Sequence, residues 1–119
     1  HIAHFHTTRR WGLANVLTAL QAGITHFEST LGGLGGQPAN FVDGVPVAGT
    51  GDYYYSYPSI VGLVSTEDMV VMMDEMGIET NLDIDRILET GIMVERITGR
   101  RLRSETIRNG RIPKSLTGR

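Results

Sequence analysis

Residues 1–23, HIAHFHTTRRWGLANVLTALQAG, contain the two patterns on which the fold depends. Residues 1–6 form a short segment of alternating polar and apolar side chains, which predicts a β-strand. From Trp11 to Ala22 the leucines at positions 13, 17 and 20 recur at helical spacing, and Gly23 is a typical residue just beyond a helix. Short strands alternating with helices indicate a parallel β/α architecture.

The rest of the chain continues this order. Residues 24–30, ITHFEST, predict a second strand because they are rich in β-branched and aromatic side chains. A glycine run follows, and residues 37–64 then form a long irregular stretch that contains three of the four prolines. Loops of this length are usually functional or mobile. Two helices are predicted after it, the first capped by Ser65 or Thr66 and the second from about Asp83 to Thr98.

Each of these two helices has an apolar face. We interpret the methionine face of the first helix as core rather than as a functional surface. The residues concerned are Met69, Met72, Met73 and Met76 in the first helix and Ile84, Ile87, Leu88, Val94 and Ile97 in the second. The basic tail, residues 101–119, is weakly patterned, so we expect it to be partly ordered at best or to pack on a partner.

Composition narrows the class of protein. The chain has 119 residues, of which 40% are hydrophobic and 20% charged, as in a globular domain. The net charge of −2 gives no reason to expect a nucleic acid or an acidic membrane as partner. No cysteine is present, so disulfides and thiolate sites are excluded within the chain. Without a signal peptide or a membrane-spanning run, we expect a cytoplasmic protein, and the missing initiator Met suggests a piece of a longer polypeptide.

Two parallel strands do not close a core by themselves. A complete β/α barrel has eight strands and about 250 residues, and this chain has the size and order of its last quarter. We therefore expect the remainder of a barrel or a companion chain as a partner. The alternative is a stand-alone β/α module, which would leave sheet edges exposed unless the chain self-associates.

Two features are candidates for chemistry. His4 and His6 lie at positions i and i+2 of the predicted strand, so their imidazoles point to the same side and could bind one divalent ion. Alternatively they are ordinary polar residues, and His1 and His26 are interpreted as structural. The glycine run 32–36 could bring backbone N–H groups close to an anionic ligand, or it could be a flexible turn.

A cluster of tyrosines in the long loop is a third candidate. These residues are Tyr53, Tyr54, Tyr55 and Tyr57. They could cover an acyl chain or stack on a nucleotide base, but a subunit contact or a packed surface loop is the interpretation we favour.

Three motifs, in order, resemble the 3-hydroxy-3-methylglutaryl-CoA lyase family. They are HFHTTRRWGLAN at 4–15, ESTLGGLGGQP at 28–38 and STEDMVVMMDEMGIETNLD at 65–83. The resemblance extends from residue 2 to about residue 100, interrupted by the long loop. It implies that residues 1–100 are about strands seven and eight of a (β/α)8 TIM barrel plus C-terminal helices, incomplete as a stand-alone barrel, with 101–119 as a separate tail.

The resemblance also implies a function. It is a carbon–carbon lyase that cleaves a 3-hydroxyacyl-CoA in a retro-Claisen sense, with Mg²⁺ or Mn²⁺ as cofactor and a homo-oligomeric state. His4 and His6 match the two histidine ligands of the family. The loop Gly33, Leu34, Gly35 and Gly36 would lie over the acyl-CoA substrate.

Four positions depart from the family pattern. Gln37 stands where the family has a Cys associated with proton transfer, and Leu63 where it has an Asn next to the metal. Thr7 replaces an Asp, and Arg10 replaces a Gly. These departures support an alternative function, a lyase relative that has lost catalysis and serves as a binding or assembly subunit.

Overall fold

The computed structural model describes residues 1–36, 40–47, 55–57 and 61–117. In chain order the elements are β1 (Ala3–His4), α1 (Gly12–Gln21), β2 (Phe27–Glu28), a 3₁₀ turn (Leu31–Gly33), β3 (Asn40–Val42), β4 (Val45–Val47), α2 (Thr66–Glu75), α3 (Ile84–Thr98), α4 (Glu105–Asn109) and α5 (Lys114–Thr117). The predicted α/β class is confirmed. None of the described helices is long and apolar enough to cross a bilayer.

β1, α1 and β2 form one parallel β/α/β unit. Ala3 pairs with Phe27 and His4 with Glu28, so the ends of the two strands lie side by side. Both strands are shorter than predicted, because beyond these pairs the described chain makes only single bridges, between His6 and Leu63 and between Thr30 and Ser65. These bridges bring the segment before α2 into contact with both strand ends.

α1 packs through one face, as its leucine spacing predicts, but the most buried residues of that face are not the leucines. Val16 and Ala19 are buried, whereas the leucines at 13, 17 and 20 are half-buried on either side. Val16 joins Val64, Met69 and Met73 in one core cluster between α1 and α2. The small residues allow α1 to approach closely, and the leucines seal the edges of the contact.

α2 and α3 begin and end close to where the sequence predicts. Ser65 caps α2 by accepting a hydrogen bond from the Asp68 amide, and Asp83 caps α3 in the same way. Their apolar faces are only partly core, however. Met76 directly follows the end of α2 and is 48% exposed. Ile97 lies in the last turn of α3 and is 75% exposed, so both are beyond the packed neighbours.

The interpretation of 37–64 as irregular throughout was wrong for residues 40–47. β3 and β4 pair as an antiparallel hairpin around Asp43 and Gly44, both of which have positive φ, at 50° and 77°. Asp-Gly at a two-residue connection is the standard signature of such a turn. The neighbouring prolines made the segment look irregular in the sequence.

The first part of the tail is ordered against the rest of the chain, in contrast to the expectation for residues 101–119. Leu102 is 2% exposed and Ser104 is fully buried. Arg111 bridges Asp74 of α2 and Asp85 of α3, at 2.9 and 3.0 Å. The division of the chain at residue 100 stays a prediction.

Candidate active site

The two histidines predicted as metal ligands do converge. His4 ends β1, and His6 follows two residues later, where it bridges to Leu63. Their Nε2 atoms are 3.3 Å apart and their ring centroids 5.2 Å apart. Because i and i+2 side chains of an extended chain share one side, the alternation in the sequence is sufficient to produce this pairing.

The separation of the two nitrogens fits a shared divalent ion. Two nitrogens bound to one ion at about 2.1 Å each, at an angle of about 90–109°, lie about 3.0–3.4 Å apart. The observed separation of 3.3 Å falls in this interval. A single proton shared between the rings is the other arrangement that this distance permits, as a long hydrogen bond.

Glu28 orients the first of these rings. Its Oε2 lies 2.8 Å from His4 Nδ1, across the parallel pair formed by β1 and β2. The tautomer inferred from this contact has the proton on Nδ1, which donates to the carboxylate and leaves the Nε2 lone pair directed toward His6. A carboxylate behind an imidazole is the usual outer partner of a metal-binding histidine.

The surroundings of His6 disfavour its charged form. Burial, and then the nearby charge of His4, lower the pKa of His6 below its ordinary value of 6.5, while the backbone of Gly36 acts in the opposite direction. Its Nδ1 is buried and makes no well-formed hydrogen bond to the described residues. A buried ring nitrogen without a well-formed hydrogen bond is uncommon in a packed core.

The described residues bring two imidazole nitrogens together, with one carboxylate behind the first ring. Within 1–36, 40–47, 55–57 and 61–117 no three His, Asp or Glu side chains form a group able to hold a metal. His26 is exposed and its Nδ1 lies 3.2 Å from the Thr25 hydroxyl.

Leu63, which the resemblance aligns with the family asparagine, bridges to His6 and carries an apolar side chain. Leu63 is 9% exposed and its side chain lies against Gly35. Its amide donates to the Gly33 carbonyl at 3.2 Å. Leu63 thus holds the glycine loop next to the histidines through packing and one backbone hydrogen bond, and offers no polar side-chain atom to a ligand.

Thr7 has a structural role in place of the family aspartate. Its hydroxyl accepts a hydrogen bond from the Gly12 amide at 3.1 Å, which satisfies a free donor in the first turn of α1. Its own amide donates to the Gly62 carbonyl at 2.9 Å. Both interactions fix the loop that follows His6.

The glycine loop, residues 32–36, is anchored by the buried carboxylate of Glu67, which the sequence alone did not indicate. Glu67 is 0% exposed, and both of its oxygens lie 2.9 Å from the Gly32 amide. The Ser65 hydroxyl donates to Glu67 Oε2 at 2.7 Å. Gly32 has φ 62°, and Leu102 fills the space that a β-carbon would need. A Glu in the first turn of a helix suggests only a charge near the helix dipole, since its partner is 35 residues away.

The next residue, Asp68, holds the tail against α2 through hydrogen bonds to its carboxylate. Its carboxylate accepts hydrogen bonds from the Ser104 hydroxyl at 3.1 Å and from the amides of Glu105 and Thr106 at 3.2 and 2.8 Å. It therefore caps α4 from outside that helix. No local pattern in the sequence connects the two segments.

The remaining predicted residues are only partly described. Gln37, Tyr53 and Tyr54 lie outside the described residues. Tyr55 contacts the loop before α1, where the Arg9 guanidinium carbon lies 5.6 Å from the Tyr55 ring and 5.8 Å from the Trp11 ring. The role of the tyrosines as a cover over a ligand stays a prediction.

Comparison with known proteins identifies the family to which this chain is related. The HMGL-like family model matches residues 2–94. The chain is 38% identical over 104 residues to the hydroxymethylglutaryl-CoA lyase YngG of Bacillus subtilis, covering 87% of this chain and 29% of the relative. It is 34% identical over 97 residues to the mitochondrial hydroxymethylglutaryl-CoA lyase of Arabidopsis thaliana, covering 82% of this chain and 17% of that one.

A solved structure gives the same result. The HMG-CoA lyase of Acinetobacter baumannii, in complex with coenzyme A and 3-methylmalate, superposes with a TM-score of 0.70 at 34% identity. The match covers 94% of this chain and 33% of that one. Such lyases are TIM barrels, and the numbering of β1 and β2 as their seventh and eighth strands stays a prediction. By sequence and by fold, the chain belongs to the HMGL-like family and is a relative of the hydroxymethylglutaryl-CoA lyases.

Proposed function

We propose that this chain is the C-terminal segment of a divalent-metal-dependent carbon–carbon lyase that cleaves a 3-hydroxyacyl-CoA in a retro-Claisen sense. The observation that carries the proposal is the 3.3 Å approach of His4 Nε2 and His6 Nε2, with Glu28 behind His4. The chain spans 29% of the length of its Bacillus subtilis relative. The remaining ligands and the rest of the barrel would come from sequence beyond these residues or from a companion chain.

The residues present fit a cation of the Mg²⁺ or Mn²⁺ type. Imidazole nitrogens combined with substrate and water oxygens suit an open, partly hydrated coordination sphere. A divalent ion bound there would polarise the hydroxyl and carboxylate oxygens of the substrate. His4 and His6 would hold the ion, and Glu28 would keep the His4 ring in a fixed tautomer and orientation.

The glycine loop would form one wall of the substrate site. Gly33 is tied to Leu63 through its carbonyl, and Gly32 to Glu67 through its amide, so the loop is fixed next to His6. The Acinetobacter baumannii relative was solved with coenzyme A and 3-methylmalate, which supports an acyl-CoA as the substrate class here. The homo-oligomeric state and the cytoplasmic location stay predictions.

The proton donor is the part of the reaction that this chain alters. Cleavage of the bond between the hydroxyl-bearing carbon and its neighbour releases an acyl-CoA enolate, which must take up a proton. Gln37 stands at the position of the family Cys, and an amide has no titrating proton to supply. A donor other than residue 37 is therefore part of the proposal.

The test is turnover by the full polypeptide that contains these residues. Release of a shorter acyl-CoA from 3-hydroxy-3-methylglutaryl-CoA is measured with and without added Mg²⁺ or Mn²⁺. We expect turnover that depends on the ion, is lost in His6→Ala and is kept in His26→Ala, the matched exposed histidine. Turnover that persists without any divalent ion, or equally in His6→Ala, contradicts the proposal.

Two observations favour a second candidate function, a relative that has lost catalysis and acts as a binding or assembly subunit. Leu63 presents a buried apolar side chain beside His6, and the hydroxyl of Thr7 is used to cap α1. This alternative predicts no turnover by the full polypeptide even with saturating Mn²⁺, while the native mass shows a stable assembly.

A further inference from the structure

Residues 102–106, which we call the tail anchor, lie against the glycine loop although they are far from it in the sequence. Leu102 is 2% exposed and occupies the space that a β-carbon on Gly32 would need. The Arg103 amide donates a hydrogen bond to the Gly32 carbonyl at 2.9 Å. The HMGL-like family model matches residues 2–94, so these contacts come from a part of the chain beyond the matched range.

The tail anchor is itself held by hydrogen bonds to three helices. The Leu102 amide donates to Glu95 Oε1 of α3 at 2.9 Å, and the Leu102 carbonyl accepts a hydrogen bond from the Arg108 guanidinium of α4. Asp68 of α2 accepts three hydrogen bonds from residues 104–106. Both backbone polar groups of Leu102 are therefore satisfied, and its side chain is held in one place against Gly32.

The glycine loop depends on other segments for its conformation. Gly32 and Gly33 have φ of 62° and 68°, in the left-handed region. Glycine also loses more conformational freedom on ordering than any other residue. The amides of Gly33 and Leu34 donate within the loop region at 3.2 and 3.3 Å, at or beyond the long end of the usual range. Local hydrogen bonds of this length hold the loop weakly, so the packing of Leu102 against Gly32 is an important part of its support.

The glycine loop in turn connects the tail anchor to the candidate metal ligands. The Leu63 amide donates to the Gly33 carbonyl at 3.2 Å, and Leu63 bridges to His6. The spacing of His4 and His6 is produced by the strand that carries them, because side chains at i and i+2 share one side. A change at Leu102 should therefore alter the loop and leave the pair of histidines in place.

We propose that Leu102 is a positioning residue, which acts through Gly32 to hold the glycine loop in the conformation that receives an acyl-CoA. The role toward the acyl-CoA rests on the proposed function, whereas the positioning of the loop does not. Truncation of Leu102 leaves a cavity beside the loop. Because the loop is rich in glycine, it can relax into that space in many conformations.

The first measurement is amide hydrogen exchange by mass spectrometry, on the full polypeptide that contains these residues, without substrate or metal. We expect Leu102→Ala to accelerate exchange in peptides that cover residues 31–36 by about tenfold or more. Leu102→Val should give a smaller acceleration in the same direction. Leu102→Met keeps the volume of the side chain and should remain close to the wild type.

Ile84→Ala is the matched control for a loss of stability alone. Ile84 packs with Val70 and Val71 in the core cluster between α2 and α3, so its truncation should lower the melting temperature. We expect the exchange of residues 31–36 to stay unchanged in this variant. The control therefore separates support of the glycine loop from a general weakening of the fold.

The second measurement separates positioning of the loop from binding of the ion. In Leu102→Ala, we expect kcat/KM for 3-hydroxy-3-methylglutaryl-CoA to fall about tenfold or more, while the dissociation constant for Mn²⁺ stays within about twofold of the wild type. Leu102→Met should have kcat/KM close to the wild type. A purely structural role for Leu102 predicts instead that kcat/KM is unchanged, or that Mn²⁺ binding is lost together with turnover.

The positioning role is overturned if exchange of residues 31–36 is unchanged in Leu102→Ala, or equally accelerated in Ile84→Ala. If Leu102→Ala does not fold, the same criteria apply to Leu102→Val. Accelerated exchange with an unchanged kcat/KM overturns the role toward the acyl-CoA. If the wild type itself shows no turnover, the proposed function has failed, and the exchange experiment still decides whether Leu102 positions the loop.

Discussion

Gly91 provides a quantitative test of how the glycine loop is supported. It lies buried in the middle of α3, and a β-carbon at that position would meet the Glu67 carboxylate and lie 2.6 Å from Ile107 Cδ1. In an exposed helix, glycine to alanine gains about 1 kcal/mol. Here the added methyl group overpacks a filled site, which costs about 1–3 kcal/mol. Because Glu67 holds the Gly32 amide and cannot move freely, we take the upper part of that range for Gly91→Ala.

The expected net result for Gly91→Ala is a loss of about 1–2 kcal/mol in the free energy of unfolding. For a chain of this length that corresponds to a melting temperature about 4–8 °C lower. Urea denaturation followed by circular dichroism gives the free energy, and the m value shows whether the compactness of either state has changed. Glu89→Ala, two residues earlier at an exposed position of α3, should change the free energy of unfolding by less than about 0.5 kcal/mol. An increase of about 1 kcal/mol in Gly91→Ala, as helix propensity alone predicts, would refute the contact with Glu67.

Three further substitutions test the supports of the site. Asp68→Ala should cost about 1–2 kcal/mol and expose the Thr106 amide to hydrogen exchange, whereas the cap variant Asp83→Ala should destabilise α3 and leave that amide protected. Glu67→Gln keeps the size of the side chain but removes its charge, so exchange at the Gly32 amide should accelerate; unchanged protection there would contradict the buried hydrogen bonds. Leu63→Asn introduces the family residue but buries an amide, so thermal denaturation should show a loss of about 1–3 kcal/mol in the free energy of unfolding. Equal stability would mean that water reaches the position more than its 9% exposure indicates.

Local patterns were enough to predict the parts of the fold that depend on local chemistry. The caps at Ser65 and Asp83, and the helix end before Gly23, each involve residues within one turn of each other. The pairing of His4 with His6 needs only the alternation of an extended chain. In each case the interaction that fixes the geometry lies within a few residues of the motif.

What the sequence did not predict depends on contacts between distant segments. Glu67 reaches Gly32, and Asp68 reaches Ser104, across 35 and 36 residues. The burial of Leu102 in the tail follows from the same docking, which a weakly patterned basic segment does not indicate. The exposure of Met76 and Ile97 was not predicted either. Helix periodicity indicates the face on which a side chain lies, but not how far along the helix the neighbouring element packs.

The most direct test of the central claim is Mn²⁺ binding, measured by electron paramagnetic resonance titration of the full polypeptide that contains these residues. His4→Ala and His6→Ala are compared with His26→Ala, which removes an exposed histidine that is not one of the pair. The account predicts saturable Mn²⁺ binding in the wild type and in His26→Ala, and loss of that binding in both His4→Ala and His6→Ala. Mn²⁺ bound at full stoichiometry in His6→Ala would contradict it.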